Sequence, residues 1–139
     1  MMVSNDPEND CSLAGKAVLV TGGSRGIGAA IAKKAATAGA RVAIGYLNQS
    51  AAATSVAQEI TESGGAATAI QADISIPSEA QRLVATAQET MGGVDGLVNN
   101  AGIMPSSPLT DTTDEEWAAV LATNLSGAFY CSRAVVPGM

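Results

Sequence analysis

Thr21-Gly22-Gly23-Ser24-Arg25-Gly26-Ile27-Gly28 is the stretch whose reading decides the fold. The apolar run Ala17-Val18-Leu19-Val20 precedes it, and Ala29-Ala30-Ile31-Ala32 follows it. That order reads as a buried strand, a glycine turn and the start of a helix. Glycines let backbone approach a ligand closely, and a helix N-terminus offers unpaired N–H groups to phosphate. The turn therefore reads as a phosphate cradle, with a purely structural turn as the alternative.

Outward from the turn, strands and helices alternate. The first strand is expected over 16–20 and the first helix over 25–38, with Ile27, Ile31 and Ala35 at four-residue spacing on one face and Gly39 ending it. Arg41 to Tyr46 reads as a second strand. Ser50 opens a second helix that buries Ala53, Val56, Ala57 and Ile60 and closes at Gly64-Gly65. Residues 67–72 form a weaker third strand, since alanine is a poor strand former. Ser78 with Gln81 reads as a capping box opening a third helix, with Leu83, Val84, Ala87 and Met91 inward and Gly92-Gly93 at its end. A fourth strand is expected over 94–98, then a loop with Pro105 and Pro108. Thr113 with Glu116 is a second capping box, opening a long helix to about Val136.

Four β-α units in series predict a Rossmann-type α/β fold: a doubly wound parallel sheet with helices on both faces. Ligands bind such sheets at the carboxyl ends of the strands, where the strand order reverses. With the first strand central, the glycine turn sits beside Asn99-Asn100-Ala101-Gly102, which follows the fourth strand.

Composition bounds the function. The 139 residues suit one domain, with a flexible tail expected over 1–13 and the folded domain over 14–139. Net charge is −6, yet residues 11–58 contain no acid and carry Lys16, Arg25, Lys33, Lys34 and Arg41. One positive segment in an acidic chain argues against nucleic acid and fits a small anionic ligand. The absence of histidine and of a Cys-x-x-Cys pair argues against a zinc site. Free thiols are the default for Cys11 and Cys131, with a disulfide left open. The acidic N-terminus is no signal peptide, and no apolar run approaches the roughly 20 residues of a membrane span, so a cytoplasmic location is expected.

At Thr21, Gly22, Gly26 and Gly28, at Asn99 to Gly102, at Asp73 and at Asn124, the sequence resembles the short-chain dehydrogenase/reductase family. Within that family it is most similar to the NADP-dependent carbonyl reductases, such as 3-oxoacyl-carrier-protein reductases. The resemblance covers about residues 14–139. It implies a hydride transfer between a nicotinamide cofactor and a small carbonyl or alcohol substrate. Gly22, Gly26 and Gly28 would form the pyrophosphate turn, with Ser24 and Ile27 along the cofactor. Asp73 would accept from the adenine amino group, with Ile74 beside the ring. The residues themselves leave a helix-flanking or Asx-turn role open for Asp73. Asn99, Ala101 and Gly102 would line the ribose and nicotinamide side, while Asn100 reads equally well as a structural residue.

Asn124 would hold a water of a proton relay. It lies on a stripe with Trp117, Val120, Leu121 and Ala128, which predicts an interior polar group; a backbone-satisfied asparagine is the other reading.

The cofactor preference has a physical basis. NAD sites place an acid about 20 residues beyond the glycines, where it accepts from the ribose 2′-OH. Here the second strand ends in Tyr46-Leu47-Asn48-Gln49-Ser50, which is neutral, and Arg25 stands in the turn. Tyr46, Asn48 and Arg25 would tolerate or bind a 2′-phosphate, so NADP(H) is expected over NAD(H).

The family's catalytic serine and Tyr-x-x-x-Lys motif have no counterpart here. Tyr46 is followed four residues later by Ser50, and Tyr130 by Ala134. The chain is therefore expected to be the N-terminal part of a longer reductase, inactive by itself. Its fourth strand and its long helix (Trp117, Leu121, Leu125, Phe129) are expected to lack cover, making the isolated chain unstable or sticky. The resemblance implies that the complete protein is a homodimer or homotetramer.

Overall fold

A computed structural model describes residues 11–139. Four parallel strands, β1 (Ala17–Thr21), β2 (Arg41–Tyr46), β3 (Ala66–Gln71) and β4 (Gly96–Val98), form one sheet in the order β3-β2-β1-β4. The helices are α1 (Gly26–Thr37), α2 (Ser50–Glu62), α3 (Pro77–Met91), α4 (Asp114–Val120) and α5 (Gly127–Val135). The chain winds from β1 out to β3, then returns to place β4 on the other side of β1. That reversal is the switch point of the Rossmann-type fold.

The strand period of two divides the core. Val18, Val20, Val42 and Ile44 meet α1 and α2 on one face, and Ala17, Leu19, Ala43 and Ile70 meet α3 and α5 on the other. The inward residues expected for α3 are all buried, as are Ala53, Val56 and Ile60 of α2. Cys131 of α5 is fully buried and Cys11 is exposed, both as free thiols. Desolvation pushes the Cys131 thiol up from 9.0 to about 11. At neutral pH it is protonated and packs as an apolar group.

Several elements differ from expectation. The tail expected over 1–13 lies outside the described residues as far as residue 10, and Leu13 is already anchored. It donates its N–H to the Ala38 carbonyl at 2.8 Å and packs against the α1 side of the core. The buried face of α1 is Gly28, Ala29, Ala32 and Ala35, while Ile27 is 75% exposed. A stripe of small residues brings this helix so close to the sheet that Ile27, one position away, is turned out. Helix α3 starts at Pro77 after the N-cap Ile76, without a side-chain cap, so the Ser78 capping box does not form. Proline's fixed φ and missing N–H suit a first helical position.

Strand β4 begins only at Gly96. Asp95 instead accepts the Ala17 N–H through Oδ2 at 2.8 Å, and its own N–H donates to the Ala17 carbonyl at 2.8 Å.

The long C-terminal helix carries a π-helical turn, Leu121–Ser126, between α4 and α5. Its Thr113–Glu116 capping box forms as expected. The interior position expected for Asn124 is not realised: Asn124 is exposed, while Trp117, 62% exposed, lacks cover as expected. A π turn shifts the rotational register of a helix, which breaks a stripe counted at α-helical spacing. Leu125 and Phe129 also lie exposed on this helix, and β4 forms a sheet edge, as expected. No helix among the described residues is long and apolar enough to cross a membrane.

Candidate cofactor site

The turn after β1 and the turn after β4 meet at the carboxyl end of the sheet. Thr21 is the residue that joins them. It is 1% exposed, and its hydroxyl oxygen accepts the N–H groups of Asn100 and Ala101, each at 3.1 Å, while donating to the Val98 carbonyl at 3.3 Å. The Asn100 side chain answers from the other turn. Its Nδ2 donates to the carbonyls of Thr21 at 3.0 Å and Gly22 at 2.9 Å. The structural reading of Asn100 is therefore the one realised.

This staple leaves no room for larger residues. A Cβ on Gly22 would lie 2.8 Å from the Ala101 Cα, and one on Gly28 would lie 2.3 Å from the Gly22 carbonyl oxygen. Helix α1 consequently starts hard against the turn, and no side chain caps its first N–H groups. Those donors and the helix dipole remain free to serve an anion.

A cleft of about 560 Å³ opens beside the two turns. Gly22, Ser24, Arg25, Gly26, Ile27 and Gly28 line it from the β1 side, and Tyr46, Leu47, Asn48 and Gln49 from the end of β2. Asp73 and Ile74 close the β3 side; Asn100, Ala101, Gly102, Ile103 and Thr123 close the β4 side. Only Arg25 and Asp73 among these bear a charge. Of the five cations in the acid-free segment, Arg25 alone reaches the cleft: Lys33 pairs with Glu59, and Arg41 Nε donates to the Met91 carbonyl at 3.1 Å.

The individual side chains are held in different ways. Asp73 does form an Asx turn, with Oδ1 accepting from Ser75 N–H at 3.0 Å and Ser75 Oγ–H at 2.6 Å. Ile74 is mostly buried, packed where a Cβ on Gly127 would approach within 2.8 Å. The Tyr46 hydroxyl donates to Ser50 Oγ at 3.3 Å.

Asn99 departs from the expected lining. Its side chain faces the other way from that of Asn100 and donates to Ser132 Oγ of α5 at 3.1 Å. Asn124, outside the cleft, clamps the backbone of Ile103. Its Oδ1 accepts the Ile103 N–H, and its Nδ2 donates to the Ile103 carbonyl, both at 2.8 Å. Thr21, Asn100 and Ser75 were under-read in the sequence. Thr21 carried a signal as the polar end of an apolar strand and Asn100 as part of the turn after the fourth strand, whereas Ser75 carried none.

Residues 16–139 match the family model for short chain dehydrogenase. The chain belongs to the short-chain dehydrogenase/reductase family. This family consists of oxidoreductases that bind nicotinamide cofactors, and several similar members are known. Over 133 residues the chain is 44% identical to the short chain dehydrogenase/reductase AacuN of Aspergillus aculeatus, covering 96% of this chain and 49% of that protein. It is 41% identical to a 3-oxoacyl-[acyl-carrier-protein] reductase of Synechocystis, covering 89% of this chain and 50% of that one. A short chain dehydrogenase from Burkholderia cenocepacia, solved in complex with NADP, superposes with a TM-score of 0.89 at 44% identity, covering 91% of this chain and 52% of the other. This short-chain dehydrogenase/reductase chain thus spans about half the length of the relatives it matches.

Proposed function

We propose that this chain is the cofactor-binding part of a cytoplasmic, NADP(H)-dependent oxidoreductase that passes hydride between the nicotinamide and a small carbonyl or alcohol substrate. The observation that carries the reading is the cleft itself. Uncapped helix N–H groups and Arg25 border it, and no carboxylate stands at the end of β2. The donor set fits the group: Gly22, Gly26 and Gly28 and the α1 N-terminus hold the pyrophosphate, and Arg25, Tyr46 and Asn48 receive the 2′-phosphate. Asp73 accepts from the adenine amino group, with Ile74 and Ile27 flanking the cofactor. Ala101 and Gly102 border its ribose and nicotinamide end. When bound, the cofactor supplies the hydride chemistry. The NADP complex of the Burkholderia cenocepacia relative supports the reading.

Arg25 decides between the two dinucleotides. It is exposed, so water screens its contact and holds it to the low end for a hydrogen bond between charged groups, about 1.4 kcal/mol or a factor of about ten. Arg25→Ala is expected to weaken NADPH binding about tenfold and NADH binding less than about threefold. Both are read by titration of nicotinamide fluorescence. Equal affinity of the parent chain for NADPH and NADH would sink the assignment.

The chain alone is proposed to hold cofactor without turnover. Tyr130 lines a separate groove between α3 and α5, and Tyr46 is followed four residues later by Ser50 and not a lysine. Asn124 is proposed to act on the reaction through the Ile103 loop that it clamps. In the complete protein the exposed stripe of Trp117, Leu121, Leu125 and Phe129 is proposed to pack against a second subunit. Phe129→Asp in the complete protein is expected to shift a dimer or tetramer to monomer in sedimentation; a parent protein that already sediments as a monomer would refute this.

A further inference from the structure

Resting on the cofactor reading above, we propose that Ser75 is a positioning residue that presents the Asp73 carboxylate to the adenine amino group. It thereby sets the preference for an adenine dinucleotide over one bearing a 6-oxopurine.

Both Ser75 donors converge on one oxygen. The backbone N–H reaches Asp73 Oδ1 at 3.0 Å and the hydroxyl reaches the same atom at 2.6 Å. The second distance is that of a charge-assisted O–H···O⁻ bond, about twice as strong as a neutral one. Among the described residues no other side-chain hydrogen bond reaches this carboxylate, so Oδ2 keeps its acceptor capacity. Asp73 lines the cleft while Ser75 does not, so the serine holds the carboxylate from behind.

A helix cap does not account for the contact. Helix α3 starts at Pro77, whose nitrogen carries no hydrogen, and its N-cap is Ile76. What the two bonds fix is the plane of the carboxylate. An ionised carboxylate only accepts hydrogen bonds. Held in that plane it attracts an exocyclic amino group and repels a carbonyl at the same ring position. A carboxylate free to turn discriminates less, because it spends less time in the selecting orientation.

The test compares NADPH with its hypoxanthine analogue, which carries oxygen where adenine has nitrogen. Dissociation constants are read by nicotinamide fluorescence for the parent chain, Ser75→Ala and Ser75→Thr, with circular dichroism confirming folding. The parent chain is expected to favour NADPH at least about tenfold, Ser75→Ala only about twofold, and Ser75→Thr to restore the parent ratio. An unchanged ratio in Ser75→Ala, with or without an equal loss for both ligands, overturns the proposal. A parent chain that binds both dinucleotides equally well also overturns it and leaves the cofactor site standing. A parent chain that binds neither removes the site, and the role of Ser75 with it.

Discussion

A Gly28→Ala variant is expected to unfold about 2–4 kcal/mol more easily than the parent chain and to lose NADPH affinity by at least about a hundredfold. Two effects oppose each other here. Alanine in place of glycine within a helix ordinarily stabilises by about 1 kcal/mol. Against this stands the added methyl group, 2.3 Å from the Gly22 carbonyl oxygen and 2.4 Å from Asn100 Nδ2. Neither atom yields cheaply. The first is backbone, and the second is pinned by two hydrogen bonds. Overpacking costs about 1–3 kcal/mol, and each displaced Asn100 bond adds about 1 kcal/mol. The steric loss outweighs the propensity gain. Because the displaced atoms form the cradle, binding falls together with stability. Urea unfolding and NADPH titration read the two effects. Retention of parent-like affinity would show that the turn does not hold the cofactor.

The second large effect is expected at Asn100. Asn100→Ala removes the donor shared by the Thr21 and Gly22 carbonyls. The buried Thr21 carbonyl left without this partner costs about 1–3 kcal/mol, and the Gly22 carbonyl, partly exposed at the cleft, loses a bond worth about 1 kcal/mol, so a loss of roughly 2–4 kcal/mol is expected for the two together. Asn100→Asp separates bonding from size, since it keeps the shape and replaces the donor with an acceptor facing two carbonyls. It is expected to destabilise at least as much as the alanine. An aspartate variant with a parent-like urea midpoint would mean that the staple is not what couples the two turns.

Much of the fold was legible because strand and helix periods and glycine punctuation are local properties. The β2 bounds match expectation to the residue, and the four expected inward residues of α3 are all buried, with Ala80 beside them. The site was legible as a set of turns, and nearly all of the residues read as cofactor-binding line one cleft. Asn99 and Asn100 show where reading stopped. Adjacent in sequence, they point to opposite sides of the sheet end, one to Ser132 and one to Thr21 and Gly22. No local rule says which of the two is the staple. Asp73 shows the reverse case: its Asx turn was a weighed alternative, and the turn and the cleft wall proved to be the same residue.

By itself the sequence determined the βα order, the parallel sheet and a Gly22–Gly28 turn opening a helix, since backbone sterics and side-chain periodicity act over a few residues. Tertiary structure alone decided the rest. It turned Ile27 outward by pressing Gly28 and its alanine neighbours against the sheet. It left Arg25 as the only one of five nearby cations in the cleft. It joined Thr21 to Asn100 across 79 residues of sequence. Partner choice at that separation follows from distances across the packed sheet, which no stretch of chain encodes locally.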